Sequence, residues 1–292
     1  MANINKFGVI LFKKESRAKE ALERLTRWAD ANDVELLIHP KTPKEVVPTG
    51  VKCCKSESQL IDNAQVVVSI GGDGTFLSSA HIVNFSEVPI VGINLGRVGF
   101  LADIEYTEFE SCLTKIKSGE YSTISRMVLD IRVIRNGRTV SKLNALNDLY
   151  INRSSIPRLV SVSMWYGDDK ITDYVADGVV ISTPSGSTAY SLAAGGPIVP
   201  PGLESFVVTP ICPHSISERP IVLGAQRAIR LKINAKNPSP LMSVDGLDSI
   251  QLEPDDEVIV EFIGKSTNLI QFSQHSYFDT LRQKLNWSNI SN

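Results

Sequence analysis

Short apolar runs alternate with segments of helical period over about the first hundred residues, and this alternation restricts the folds open to the chain. The apolar and β-branched runs predict strands at residues 6–12, 34–38, 65–70 and 88–94. Apolar residues at helical spacing predict helices at Arg17–Asn32 and Thr75–Val83. Strands separated by helices need crossover connections, so the pattern predicts an α/β domain with a mostly parallel sheet.

The pattern changes after about Leu101. A helix is predicted at Glu108–Lys117, and strand signals dominate from there on. Asn136-Gly137 lies between two such runs and is a strong signal for a two-residue hairpin turn. The later part of the chain is therefore predicted to be antiparallel and β-rich. Tyr277–Trp287 returns to helical spacing, and spacing alone does not decide where that helix packs.

Composition and sequence patterns restrict the binding partners and the cellular compartment that we expect. Hydrophobic residues make up 42% and charged residues 21% of the chain, as in an ordinary globular protein. The formal net charge of −2 argues against a general nucleic-acid binder, which normally carries a basic excess. The sequence has neither a secretory signal pattern nor an apolar run of membrane-spanning length. We therefore expect a cytoplasmic protein with no nucleic-acid or membrane partner.

The cysteines and histidines do not predict a metal site. Cys53, Cys54, Cys112 and Cys212 form no CxxC pair, and the histidines form no HExxH pattern. Reduced thiols are the expected state of the cysteines.

The first stretch with chemical meaning is Gly71-Gly72-Asp73-Gly74-Thr75, directly after the predicted strand at residues 65–70. Glycines let a ligand approach the backbone, and the N–H groups of a following helix suit phosphate oxygens. Asp73 is unusual there because a carboxylate repels phosphate. It could coordinate Mg²⁺, orient a hydroxyl that attacks phosphorus, or simply cap the helix, and the five residues alone leave these alternatives open.

Two better-known phosphate loops are excluded. The chain contains no GxGxxG fingerprint. Gly264-Lys265-Ser266 resembles the end of a Walker A loop, but Ile259 occupies the position of the required upstream glycine. Because this segment lies between two predicted strands, a hairpin turn is the expected structure.

A second stretch, residues 177–196, combines a strand with a turn rich in hydroxyl groups and a short helix. Such a turn suits a ribose, a phosphate or an amide. A serine nucleophile is the competing hypothesis, but there is no GxSxG elbow and no nearby histidine or lysine base. Asn147-Asp148, at the end of another predicted strand, could bind a ribose diol or a carboxamide, or could form a turn.

Taken together, these motifs resemble the NAD kinase family over nearly the whole chain. The shared stretches are GGDGT at 71–75, GINLGRVGFL at 92–101, Asn147-Asp148, DGVVISTPSGSTAYSLAAGGPI at 177–198, PHSISERPIV at 213–222 and the tail at 277–287. The GGDG loop also occurs in diacylglycerol and sphingosine kinases. The stretch TPSGSTAYSLAAGG is far more specific to NAD kinases.

The resemblance implies an α/β N-terminal domain and a β-sandwich-like C-terminal domain, with the last segment returning to the first domain. We place the first domain at residues 1–101 with 272–292 and the second at 102–271. The implied activity is transfer of a phosphoryl group from ATP to the 2′-hydroxyl of the adenosine ribose of NAD. The implied partners are NAD, ATP and further copies of the chain, as a homodimer or homotetramer. Mg²⁺, or another divalent cation, would be carried on the triphosphate, with Asp73 as its one candidate protein ligand.

Roles for individual residues also follow from the resemblance. Asp73 would be the base or positioning group for the hydroxyl, and Gly71, Gly72 and Gly74 would accommodate phosphates. The residues implied to bind NAD are Asp73, Gly74, Phe100, Asn147, Asp148, Arg158, Asp177, Ser185, Thr188, Ala189, Tyr190, Ser191 and Asp245.

Three positions depart from the family pattern or leave a role open. Asp148 replaces the family's usual glutamate, and Val175 replaces an arginine found in some relatives, which leaves the preference between NAD and NADH open. Arg158 could meet a phosphate or be an exposed charge at a strand edge.

Two other functions compete with the leading hypothesis. A lipid kinase would share the GGDGT loop and act on diacylglycerol or sphingosine. A non-catalytic NAD(P)-binding sensor would bind the nucleotide without consuming ATP, although such a sensor has no need for Asp73 in the phosphate loop.

Overall fold

The structure is a computed structural model that describes residues 4–96, 99–102, 104–153, 159–234, 239–272 and 276–287. Its contacts divide the chain into two compact units. The first unit comprises Met1–Ser125 with Thr267–Asn292, and the second comprises Arg126–Ser266.

The elements of the first part of the chain alternate between strands and helices. They are β1 (Lys6–Ile10), α1 (Ser16–Ala31), β2 (Glu35–Ile38), α2 (Glu57–Ile61), β3 (Val66–Gly71), α3 (Asp73–Ile82), β4 (Ile90–Asn94), β5 (Ile104–Glu105), α4 (Phe109–Ser118) and β6 (Ser122–Met127).

Strands dominate the rest of the chain. They are β7 (Leu129–Arg135), β8 (Arg138–Ala145), β9 (Asp148–Asn152), β10 (Val160–Tyr166), β11 (Asp169–Ala176), β12 (Gly178–Ser182), β13 (Ser205–Ile211), β14 (Ile221–Gly224), β15 (Ile229–Ile233), β16 (Leu241–Val244), β17 (Asp248–Gln251), β18 (Glu257–Glu261) and β19 (Ser266–Gln271). A 3₁₀ turn (Gly186–Thr188) and the short helix α5 (Tyr190–Ala193) follow β12, and α6 (Tyr277–Leu285) follows β19.

The sheet of the first unit has the strand order β2-β1-β3-β4-β19-β6, with β5 beside β4. The pairings β1–β2, β1–β3, β3–β4, β4–β5 and β4–β19 are parallel. The predicted α/β domain is therefore confirmed. Because β19 pairs with β4, the last segment of the chain does return to the first unit.

The apolar pattern explains why these elements form. Helix α1 buries Ala18, Leu22 and Leu25 on one face, as its spacing predicts. Strand β3 is buried along its whole length, as expected for a parallel strand covered on both faces. None of the helices in the described ranges is long and apolar enough to cross a membrane.

The second unit contains two antiparallel sheets, with strand orders β11-β10-β15-β18-β7-β8 and β14-β13-β12-β9-β16-β17. Side chains from both sheets form one apolar core, for example Ile131 on β7 and Ile151 on β9. Alternate residues of β7 and β18 are buried, as in a sandwich with one face of each sheet inside. The predicted turn at Asn136-Gly137 is confirmed, since both residues have positive φ, at 50° and 72°.

The unit boundaries lie at residues 125/126 and 266/267, whereas the sequence placed them at 101/102 and 271/272. The difference arises because α4 packs Phe109 and Leu113 into the first core, and because β6 and β19 belong to the first sheet. The predicted hairpin at Gly264-Lys265-Ser266 is wrong. Strands β18 and β19 belong to different sheets, and the chain passes from the second unit to the first at this point.

Candidate active site

The carboxyl ends of three parallel strands in the first unit line a cavity of about 260 Å³. Lys13 follows β1, Gly71 to Asp73 end β3 and start α3, and Asn94 to Gly96 end β4. In the sheet, β2 and β3 lie on opposite sides of β1, so the order of the strands reverses direction at β1. Ligands of α/β sheets bind at such a reversal point, so the glycine loop lies where a phosphate loop is expected.

The glycines of this loop differ in whether the surrounding structure leaves room for a side chain. A Cβ on Gly71 would overlap the side chain of Thr75, so the turn into α3 requires glycine there. A Cβ on Gly72 or Gly74 would have no atom of the described residues within 4 Å. These two glycines are not needed for packing, and their backbone is open to a ligand.

The carboxylate of Asp73 accepts hydrogen bonds from three successive backbone N–H groups. Phe100 donates to Oδ2 at 3.0 Å, and Leu101 and Ala102 donate to Oδ1 at 3.0 and 3.1 Å. A Cβ on Gly99 would overlap this carboxylate, which explains the glycine at that position. Asp73 thus fixes a neighbouring loop instead of capping its own helix. Among the described residues, these three N–H groups are the hydrogen-bond donors to Asp73. A carboxylate has about four lone-pair positions, so one position stays open, on Oδ2.

Basic side chains surround the same region. A second cavity of about 660 Å³ shares Gly96 and Lys284 with the first and is also lined by Arg17, Glu105, Tyr106, Thr107, Gln283 and Asn286. Lys284 lies on α6, with its Nζ 5.6 Å from the ring centroid of Phe100. Sequence reasoning missed Lys13, Arg17 and Lys284, because they belong to no recognised motif and only the fold brings Lys284 to the cavities that Lys13 and Arg17 line.

A cavity of about 380 Å³ in the second unit gathers five of the residues predicted to bind NAD. They are Asn147, Asp148, Ala189, Tyr190 and Asp245, and the cavity is also lined by Tyr150, Asn152 and Gly246. Sequence reasoning missed Tyr150 and Asn152. The available signal was the alternation of polar side chains at 148, 150 and 152, which places them on one face of β9.

Asp245 fixes the chain that enters β9. It lies in the turn between β16 and β17 at a φ of 50°. Its Oδ2 accepts from the N–H of Leu146 at 2.8 Å, and its Oδ1 accepts from Asn147 and Asp148 at 2.8 and 3.0 Å. Its own N–H donates to the carbonyl of Asp148 at 2.9 Å. Asp245 therefore fixes the backbone of residues 146–148 through four hydrogen bonds.

The hydroxyl-rich turn after β12 packs against the same segment. The N–H of Thr183 donates to the carbonyl of Asn147 at 2.8 Å, and its Oγ1 donates to the carbonyl of Leu146 at 2.6 Å. A Cβ on Gly186 would overlap the backbone of Asn147. Glycine at this position lets the turn lie close to β9 and brings Ala189 and Tyr190 to the cavity.

Asp148 has an unusual protonation equilibrium. Its residue is 5% exposed, and burial raises the pKa of its carboxyl to about 7. The negative charge of Asp245 contributes to this raised pKa, while the backbone N–H of Tyr190 opposes the shift. Asp148 is thus poised to exchange a proton near neutrality.

Other predicted residues do not line these cavities. Asp177 pairs with Arg153 at 3.3 Å, Thr188 donates from Oγ1 to the carbonyl of Ser185 at 3.1 Å, and Ser191 is buried with its Oγ 2.9 Å from Thr209 Oγ1. Phe100 belongs to the first unit, where its ring lies 6.2 Å from that of Tyr277. Arg158 lies outside the described residues.

Comparison with known proteins identifies the family. The family model described as the ATP-NAD kinase N-terminal domain matches residues 7–121, and that of the ATP-NAD kinase C-terminal domain matches residues 146–272. The NAD kinase of Geobacter sulfurreducens is 38% identical over 290 residues, covering 97% of this chain and 99% of that protein.

Solved structures show the same fold. The yeast NADH kinase complexed with NADH superposes with a TM-score of 0.89 at 24% identity, covering 99% of this chain and 89% of that one. An NAD kinase from Archaeoglobus fulgidus in complex with ATP gives a TM-score of 0.75 at 24% identity, covering 96% of this chain and 98% of that one. The family that the sequence motifs resemble is confirmed: the chain belongs to the NAD kinase family of phosphotransferases.

Proposed function

We propose that the chain transfers the γ-phosphoryl group of ATP to the 2′-hydroxyl of the adenosine ribose of NAD, which yields NADP and ADP. The observation that carries the mechanism is the Asp73 carboxylate. It lies beside an open glycine backbone at the carboxyl edge of the sheet, is oriented by three N–H groups, and keeps one lone-pair position on Oδ2 open.

In this mechanism, Asp73 Oδ2 accepts the hydrogen bond of the 2′-hydroxyl and aligns its oxygen with the γ-phosphorus. A bond forms between the 2′-oxygen and phosphorus as the bond between phosphorus and the β,γ-bridging oxygen breaks, and the hydroxyl proton passes to the carboxylate. Lys13 and Lys284 line the same cavity and would neutralise phosphate oxygens. Positioning and charge neutralisation account for most of the catalysis in phosphoryl transfer.

The divalent cation would arrive on the triphosphate. The described residues contain no group of three or more His, Cys, Asp or Glu side chains able to hold a metal ion. Asp73 is the carboxylate that lines the cavity of about 260 Å³, and three N–H groups already occupy three of its lone-pair positions. Mg²⁺ bound to ATP would supply further neutralisation of the phosphate charge.

The cavity of the second unit would recognise the dinucleotide. Asp148 and Asn147 offer groups for ribose hydroxyls, and the rings of Tyr150 and Tyr190, 5.2 Å apart edge to face, offer an aromatic wall. Roles for Phe100, Arg158, Asp177, Ser185, Thr188 and Ser191 in binding NAD remain part of the proposal. We also propose a homo-oligomer that acts in the cytoplasm.

The direct test incubates the purified protein with ATP, Mg²⁺ and NAD and detects NADP with a dehydrogenase strictly specific for it. The proposal predicts a signal that needs all three components and disappears in the Asp73→Ala variant. A folded, NAD-binding protein that makes no NADP with ATP or any other phosphoryl donor would contradict it.

A further inference from the structure

Asn152 is placed at the far end of a strand face that points into the cavity of the second unit. Leu149 and Ile151 of β9 belong to the apolar core, so Asp148, Tyr150 and Asn152 lie on the opposite face. All three line the cavity of about 380 Å³. Strand β9 is central in its sheet, with Asn152 in register with Gly178 on β12 and Leu241 on β16. Its position is therefore fixed by strands on both sides.

The side-chain oxygen of Asn152 is a buried acceptor that lacks a donor. Within the described ranges no group donates to Asn152 Oδ1, although this atom is shielded from water. A buried polar atom without a partner is costly, and few occur in folded proteins. Asn144 is a useful contrast, since its Nδ2 donates to the carbonyl of Leu129 at 3.1 Å and its Oδ1 accepts from Lys265 at 2.8 Å. Because Asn152 lines the cavity, rotation of its amide would bring Oδ1 to a donor that enters there, and the hydrogen bond would satisfy this oxygen.

The spacing along β9 suits a nucleoside. Asp148 and Asn152 are four residues apart, which corresponds to about 13 Å along a strand. Tyr150 lies between them, and the ring of Tyr190 meets that of Tyr150 at 5.2 Å. A flat ring system can lie against these side chains, with ribose hydroxyls toward Asp148 and a ring-borne donor toward Asn152.

We propose that Asn152 is a specificity-determining residue whose Oδ1 accepts a hydrogen bond from an NH₂ group carried by a ring of the dinucleotide. This inference rests on the proposed function. NAD carries two such groups, the 6-amino group of adenine and the carboxamide of nicotinamide. Both present the same N–H donor chemistry, and an analogue lacking each one separates them.

The experiment compares three substrates. Nicotinamide hypoxanthine dinucleotide replaces the 6-amino group with oxygen, and 3-acetylpyridine adenine dinucleotide replaces the carboxamide NH₂ with a methyl group. The wild-type enzyme should use one of these analogues about tenfold less efficiently than NAD in kcat/KM, the cost of one lost hydrogen bond to a neutral group. The disfavoured analogue identifies which ring reaches Asn152.

The variants assign that discrimination to Asn152. Asn152→Ala should raise KM for NAD about tenfold, leave kcat within about twofold, and abolish the preference over the disfavoured analogue. Asn152→Asp keeps an oxygen acceptor and should keep the preference. Asn144→Ala, which changes an asparagine that already has partners, should behave like the wild type toward all three substrates.

Several results would overturn the proposal. Equal use of all three substrates by the wild type would do so without any variant, even if Asn152→Ala failed to fold. A preference that survives unchanged in Asn152→Ala would also remove Asn152 from substrate selection, whatever Asn152→Asp does. A wild-type enzyme that makes no NADP from NAD would instead contradict the proposed function, so the two failures are distinguishable.

Discussion

Two aspartates in this protein use the same local arrangement for different ends. Asp73 and Asp245 each accept three successive backbone N–H groups, from residues 100–102 and 146–148. A carboxylate in this position orders a loop that has no regular structure of its own. Asp73 lines the cavity at the sheet edge, whereas Asp245 acts on its neighbour Asp148 through backbone geometry and charge.

The raised pKa of Asp148 predicts a specific dependence of stability on pH. The folded protein keeps this proton up to about pH 7, whereas the unfolded chain loses it near its ordinary value of 3.8. Between these values the folded state binds more protons, so the contribution of Asp148 to the free energy of unfolding falls as pH rises.

Replacing Asp148 with Asn should remove that slope. The stability of Asp148→Asn relative to wild type should therefore increase from pH 4.5 to pH 7.5, by roughly 1.4 kcal/mol for each pH unit up to about pH 7. Urea denaturation at several pH values measures it, with the exposed Asp62→Asn as control. Parallel pH curves for Asp148→Asn and wild type would show that Asp148 is not protonated in the folded protein.

Asp245 is expected to position the cavity rather than react. In Asp245→Asn, the amide NH₂ would face one of the three N–H donors, so the segment 146–148 should loosen. We expect KM for NAD to rise about tenfold, with a smaller change in kcat. Loss of the Asp245 charge should also lower the pKa of Asp148, so the pH range over which Asp148 reduces stability should end at a lower pH. A loss of kcat at unchanged KM would instead place Asp245 in the chemical step.

At the level of elements, the turn between β3 and α3 contains a glycine, Gly72, that we expect to matter for ATP binding but not for folding. Gly72 has negative φ, at −108°, and space for a Cβ, so Gly72→Ala should fold with unchanged or slightly higher stability, by up to about 1 kcal/mol. Its methyl group would, however, occupy the approach of a phosphate, and KM for ATP should rise at least tenfold.

Gly99→Ala is the matched contrast to Gly72→Ala. Its Cβ would overlap the Asp73 carboxylate, so this variant should lose both stability and activity. Thermal unfolding and ATP kinetics of the two variants show whether each substitution affects stability, ATP binding or both. Unchanged ATP kinetics in Gly72→Ala would mean that phosphate does not approach this backbone.

Elements with strong periodicity were predictable from sequence, and those set by distant contacts were not. Helix α1 and the turn at Asn136-Gly137 follow from local spacing and turn chemistry. The segment at Gly264–Ser266 looked like a hairpin because strand signals flank it, and local sequence does not say that β18 and β19 join different sheets. The glycine loop was likewise predictable. The hydrogen bonds from residues 100–102 to Asp73 were not, because they depend on the close approach of Gly99 to the Asp73 carboxylate.

At the scale of the whole molecule, the second unit is one continuous stretch of chain and the first is not. Residues 126–266 contain both sheets of the sandwich and their core, so this fragment should fold alone. Residues 1–125 lack β19, which pairs with β4, and should not reach a stable fold. Circular dichroism and urea unfolding of the two fragments test this. A cooperatively folded 1–125 fragment would show that the returning segment is dispensable.

The most direct test of the account is a comparison of Asp73→Asn with the wild type at saturating ATP and Mg²⁺, measuring kcat for NADP formation together with the Kd for NAD. If the Asp73 carboxylate accepts the hydroxyl proton, kcat should fall at least about a hundredfold, whereas the Kd for NAD should rise no more than about tenfold, the effect expected when the amide NH₂ faces one of the three N–H donors and loosens residues 100–102. An Asp73→Asn enzyme that is folded, binds NAD and turns over at the normal rate would remove Asp73 from the chemistry.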